Sequence, residues 1–170
     1  VYQEGSNTLI LKVLTSHNAM YRPIAAFPTY IAYTIWGDNF TSYRFINLFF
    51  QILSGILVYF LLLRISGKHF FSLLCGILFA FHWTHVETIA WYCVFQESMY
   101  VSFVLLSMLL FIRYFDNNRL ILYLLSLSFF VFGFFTQEKA ILLIPLITTY
   151  DFIFNYRRKD NNLKKTILRI

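Results

Sequence analysis

The chain has 170 residues, of which 59% are hydrophobic and 21% aromatic, with 21 Phe and only 13% charged side chains. Apolar runs this long and frequent exclude an ordinary soluble domain and point to an all-α integral membrane protein embedded in a lipid bilayer. The net charge of +6 does not signify nucleic-acid binding, because the basic residues sit at the ends of apolar runs, where they act as topology signals.

Residues 1–21 are the least hydrophobic part of the first half, with Gly5, Ser6, Asn7 and Asn18 as loop signals around the short apolar run Leu9 to Leu14. The sequence opens at Val1 with no Met, no basic leader and no signal peptide, and it reads as a piece of a longer membrane protein. At Tyr21-Arg22-Pro23 the proline suits the first turn of a helix running to about Trp36, closed by Gly37 and Asp38. About 15 residues are too few to cross some 30 Å of hydrocarbon, so this is expected to be an interfacial helix. Asn39-Phe40-Thr41 matches a glycosylation acceptor set close to the next span.

Five transmembrane helices are expected next, at about 42–63, 69–84, 96–115, 119–135 and 139–156. If the connections alternate sides, one side receives Arg64, Lys68, Arg113, Arg119, Arg157, Arg158, Lys159, Lys164, Lys165 and Arg169, and the other only Lys12, Arg22, Arg44 and Lys139. That imbalance places the first group in the cytoplasm. The expected organisation is an extracytoplasmic loop with its interfacial helix (1–41), a five-span region (42–156) and a cytoplasmic basic segment (157–170). Cys75 and Cys93 form no motif, and no fixed-period repeat occurs.

The same topology gathers Glu4, His17, Arg22, Asp38, Arg44, His82, His85, Glu87, Glu97, Gln137, Glu138 and Lys139 on the outer face. The densest patch is Phe81-His82-Trp83-Thr84-His85-Val86-Glu87-Thr88-Ile89-Ala90-Trp91. Ionisable groups at the end of an apolar run are costly unless they face water, one another or a polar ligand. In an external cavity, a carboxylate can take a proton from an attacking hydroxyl while Arg, Lys or His stabilises a departing phosphate. Structural readings stand beside this one. His82 and His85 share a helical face and can cap a span, Glu138 can serve the positive end of a helix, Arg22 can anchor an interface, and Asp151 can close a helix end. No metal is assigned, since no zinc-type spacing accompanies His82, His85 and Glu87. No cofactor is assigned to the aromatic stripes.

Tyr21-Arg22-Pro23, Trp36-Gly37, Asn47, the His-x-x-His-x-Glu-x-x-Ala-Trp block at 82–91, Glu97, Gln137-Glu138, Pro145 and Tyr150-Asp151 together resemble membrane glycosyltransferases of the GT-C class. The similarity is to the protein O-mannosyltransferase-like branch, including forms followed by tetratricopeptide repeats and their bacterial relatives. It runs from Tyr21 to Asp151, and the 82–91 block is its most specific part. It implies transfer of a sugar from a polyprenyl-phosphate-linked donor to a protein or glycan acceptor at the extracytoplasmic or lumenal face, in a bacterial inner membrane or the endoplasmic reticulum. On this reading Glu87 and His85 are catalytic, and Arg22, His82, Glu97, Glu138 and Lys139 bind substrate, with Arg22 and Lys139 as the phosphate contacts. Departures are Trp83 where the family often has Pro, Val94 and Phe95 where it often has Gly-Arg, and Gln137 where a Lys is common. The acidic catalytic motif of the family is expected upstream of Val1. A membrane transporter and a non-catalytic membrane interaction protein are the alternatives; no paired Gly/Pro-broken spans favour the transporter.

Overall fold

The computed structural model describes residues 22–37, 40–90 and 95–152, except the side chains of Pro23, residues 40–43, Glu87, Ile89 and Ala90. The expectations at Glu4, His17, Asp38, Asn39, Trp91, Cys93 and the segment 157–170 lie outside the described residues. All regular structure described is helical: α1 Pro23–Trp36, α2 Phe40–Ser66, α3 His69–Ala80, α4 His85–Ala90, α5 Phe95–Asn117, α6 Leu120–Thr136, then a 3-10 turn Glu138–Leu142. The chain divides into two compact units, Val1–Ala140 and Ile141–Ile170. In the second, residues 143–152 are helical, with Thr149 Oγ1 donating to the Pro145 carbonyl at 2.7 Å.

Local chemistry accounts for the boundaries. Pro23 occupies the first turn of α1, where its missing N–H costs nothing. The helix ends at Gly37, whose φ of 59° lies in the region open to glycine, and whose N–H reaches the Tyr33 carbonyl at 2.8 Å. Gly67 (φ 67°) and Asn118 (φ 52°) turn the chain between α2 and α3 and between α5 and α6. These two-residue connections make antiparallel hairpins, and α5 packs closely on α6 as α2 does on α3.

Helices α2 and α5 also pack together, and they run parallel. Their partners ascend in step: Gln51 meets Ser98, Ser54 meets Ser102, and Arg64 pairs with Asp116. The N-terminal ends of α2 and α5 and the C-terminal ends of α3 and α6 therefore share one end of the unit. The opposite end carries Arg64, Lys68 and Arg119.

The spans expected at 42–63, 96–115 and 119–135 coincide closely with α2, α5 and α6. Among the described residues, two helical segments are long and apolar enough to cross a membrane, Arg44–Ser66 with mean hydropathy 2.2 and Phe95–Asn117 with 1.7. The expected span at 69–84 is a helix of 12 residues that stops at Ala80, a rise of about 18 Å. α6, with 17 residues, is shorter than a typical span as well. The outward faces of α2, α3 and α6 are covered with exposed Phe, Leu and Ile, including Phe70, Leu78 and Ile121.

The contacts inside the unit are of two kinds. Gly55 and Gly76 bring α2 and α3 into backbone contact. Between α2 and α5 lies a buried polar seam, in which Ser54 and Ser102 hydroxyls meet at 2.8 Å and Ser98 Oγ donates to Gln51 Oε1 at 3.1 Å. Ser107 and Ser126 join α5 to α6 through hydroxyl-to-carbonyl bonds of 2.8 Å in both directions. In an apolar surrounding such groups must be mutually satisfied, and here they are.

Candidate functional site

The site end of the unit begins where α3 stops. Phe81 N–H still reaches the Ile77 carbonyl at 3.0 Å, and a turn follows before α4. His82 Nδ1 lies 2.7 Å from Thr84 Oγ1, and the Thr84 N–H also donates to that nitrogen, at 3.4 Å. A ring that accepts there carries its neutral-form proton on Nε2. His85 opens α4 with its ring against Phe79, 4.8 Å between centroids, and edge-on to His82 at 6.3 Å. Burial, reinforced by His82, holds the His85 imidazole below the ordinary histidine value. It is therefore predominantly neutral at pH 7, able to accept a proton or a hydrogen bond.

A second cluster forms from three chain segments. Arg22, just before α1, donates from Nη1 to Gln96 on α5 and from Nη2 to Glu138 Oε2 at 3.2 Å. Glu97, next to Gln96, accepts from Lys139 Nζ at 2.6 Å and from Gln137 Nε2 at 2.7 Å. Two adjacent pairs, Gln96-Glu97 and Glu138-Lys139, are thus cross-linked, with Arg22 closing the ring. The Glu138 backbone N–H and then the Arg22 guanidinium hold the Glu138 carboxyl below its usual range. The hydrogen bond to Glu97 keeps the Lys139 ammonium above its usual value, so it stays charged throughout neutral pH.

The two clusters border one cavity of about 330 Å³, lined by Gln51, Phe79, Thr84, His85, Thr88, Glu97, Ser98, Tyr100 and Val101. Its floor is tied to the seam: Asn47 Nδ2 donates to the Thr88 carbonyl at 2.8 Å, and Gln51 Nε2 to the Ala80 carbonyl at 3.4 Å. Asn47 Oδ1 and Gln137 Oε1 are buried without a hydrogen-bond partner among the described residues. Chemically the arrangement offers a neutral imidazole and a carboxylate on the cavity wall, with Lys139 paired to that carboxylate and Arg22 bonded to the neighbouring Gln96. That combination suits a ligand with hydroxyls and an anionic group.

Of the residues singled out in the sequence, Arg22, Glu97, Glu138 and Lys139 come together in one network, and His85 shares the cavity with Glu97. His82 is exposed, bonded to Thr84 and facing His85. Glu87 falls within α4, and its side chain lies outside the described residues. Sequence reasoning missed the site contributions of Gln51, Gln96, Ser98 and Tyr100. Gln51 carried a usable signal: Asn47, Gln51 and Ser54 recur at helical spacing on one face of an apolar helix. Among the described residues no group of three or more His, Cys, Asp or Glu side chains is arranged to hold a metal ion.

The family model for dolichyl-phosphate-mannose-protein mannosyltransferases matches residues 19–169. The chain belongs to this family. Neither a curated protein nor a solved structure matches it. The mannosyltransferase family is one of membrane glycosyltransferases, in accord with the two span-length helices. The matched stretch contains every described residue of both clusters.

Proposed function

We propose that the chain is the membrane segment of a glycosyltransferase that moves a sugar such as mannose from a polyprenyl-phosphate donor to a protein or glycan acceptor. The reaction takes place at the extracytoplasmic or lumenal face, and the segment crosses the membrane five times, the 12-residue α3 through a locally thinned bilayer with its flanking side chains at the interfaces. The observation that carries the reading is the convergence of Arg22 and Lys139 with Glu97 beside the His85 cavity, in a chain of a mannosyltransferase family. The basic residues at the opposite end of the unit, Arg64, Lys68 and Arg119, favour that end for the cytoplasm.

In the proposed reaction the acceptor hydroxyl oxygen attacks the anomeric carbon while the bond from that carbon to the phosphate oxygen breaks. The electron pair leaves with the phosphate, and the hydroxyl proton passes to a carboxylate. Arg22 and Lys139 take the phosphate, Arg22 through its planar fork and Lys139 as a point charge. Glu97 positions Lys139. His85, in its neutral form, accepts a hydrogen bond from a hydroxyl, and Glu87 orients the attacking group. His82 completes the substrate contacts at the rim, where Glu138 borders the phosphate site.

The test is donor choice. Full-length protein reconstituted in liposomes is expected to transfer mannose from a polyprenyl-phosphate donor and to leave nucleotide sugars untouched. Transfer from a nucleotide sugar in a preparation free of polyprenyl phosphate would contradict the mechanism.

A further inference from the structure

The four charges of the network sum to zero, yet the two carboxylates are held very differently. Glu97 is 29% exposed in its side chain and accepts from both Lys139 and Gln137. Glu138 is 60% exposed and rests on Arg22, whose own side chain is only 21% exposed and is anchored by Gln96. Arg22 is thus a fixed cation with a displaceable anion on it. Carboxylate and phosphate oxygens compete for the same guanidinium fork, and an exposed ion pair is a weak contact, so a phosphate can displace Glu138. Once displaced, Glu138 stays tethered beside Lys139 and continues to repel whatever anion sits on Arg22.

This matters because the reaction changes the charge of its phosphate. The sugar donor is a phosphodiester with one negative charge. Cleavage leaves a phosphomonoester, which carries between about one and a half and two negative charges at neutral pH. Repulsion from a fixed carboxylate grows in proportion to that charge.

We propose that Glu138 sets the preference of this site between the two phosphates of the reaction, discriminating against the leaving phosphomonoester and promoting its release. The inference rests on the phosphate assignment to Arg22 made above. It gives Glu138 a role opposite in sign to a simple binding contact: the residue weakens product affinity and returns to Arg22 when the site empties.

The experiment measures equilibrium binding of two probes to the purified full-length protein in detergent, by isothermal titration. The probes are farnesyl phosphate, a phosphomonoester, and its methyl ester, a phosphodiester with the same chain. Because the repulsion scales with charge, a gain of about 3-fold for the diester in Glu138→Gln corresponds to a gain of about 5- to 9-fold for the monoester. Glu138→Asp retains the charge and is expected to keep the wild-type preference. Matching thermal melts and size-exclusion profiles establish that the variants are folded, as befits an exposed position.

Equal gains for both probes, unchanged affinities or weakened binding in Glu138→Gln would overturn the proposal. Arg22→Gln separates the two levels of the argument. If it weakens both probes while Glu138→Gln leaves their ratio unchanged, only the role of Glu138 falls. If wild-type protein binds neither probe, or Arg22→Gln leaves both affinities unaltered, the phosphate assignment falls as well.

Discussion

Gly76→Leu is expected to destabilise the protein severely through a single contact. A Cβ at residue 76 lies 3.1 Å from the Gly55 carbonyl oxygen and 3.2 Å from Tyr59 Cβ. Carbon pairs rest at about 3.5–4.0 Å, so even alanine must push α3 away from α2 by several tenths of an ångström. For alanine, better helix propensity returns about 0.5–1 kcal/mol of that cost. Leucine adds three more carbons where no space exists, at an overpacking cost of about 3 kcal/mol. The Gln51 to Ala80 hydrogen bond is already long at 3.4 Å and breaks when α3 moves, removing about 1 kcal/mol. A total near 4 kcal/mol corresponds to a fall in Tm of roughly 8–16 °C for a chain of this size. Thermal unfolding of the full-length protein in detergent, followed by tryptophan fluorescence, measures it, with Gly76→Ala expected to fall in between. A Gly76→Leu protein melting within about 2 °C of wild type would refute close α2–α3 packing.

Glu87→Gln preserves shape and removes charge; it is expected to lower sugar transfer by about 100-fold with expression unchanged, and near-normal transfer would return the 82–91 block to a structural cap. Because burial lowers the His85 pKa, the unfolded chain binds the extra proton first as pH falls, so this contribution to stability is present above the unfolded value and lost as pH drops through the folded one. Transfer should therefore hold at pH 7 and decline on an acid limb below the ordinary histidine value, and His85→Asn should abolish that limb. In a background with Cys75 and Cys93 replaced by Ser, a cysteine at Trp83, which is 77% exposed, should react with an impermeant thiol reagent from outside. One at Asn118 should react only after permeabilisation, and the reverse pattern would turn the whole site towards the cytoplasm.

Much of the helical layout was legible because its signals are local. Pro23 and Gly37 bracket α1, and the polar breaks at Gly67-Lys68 and Asn118-Arg119 separate the helices as read. The end of α3 was misplaced by four residues because hydropathy continues through Phe81 and Trp83 while the backbone has already turned. The site was readable only where charge made it visible. Arg22, Glu97, Glu138 and Lys139 stood out, but nothing local says that Arg22 meets a carboxylate 116 residues away. Gln96 was overlooked for the opposite reason. An uncharged amide costs little at an interface, and its value emerges only when a distant ion meets it, as the Arg22 guanidinium meets Gln96.

The serine and amide seam bears on how the molecule is assembled. Ser54 finds its partners 44 and 48 residues further along the chain, on a helix that runs in the same direction. An α2 alone in an apolar surrounding would leave Asn47, Gln51 and Ser54 unmatched, and the Asn47 Nδ2 group, Gln51 and Ser54 find their partners only on α3, α4 and the start of α5. Once docked, a slip of one helical turn between the parallel pair would leave Gln51 opposite the wrong residues. The hydroxyl ladder thus acts as a vernier that brings the cavity wall of α5 into alignment with Thr88 and Ala80.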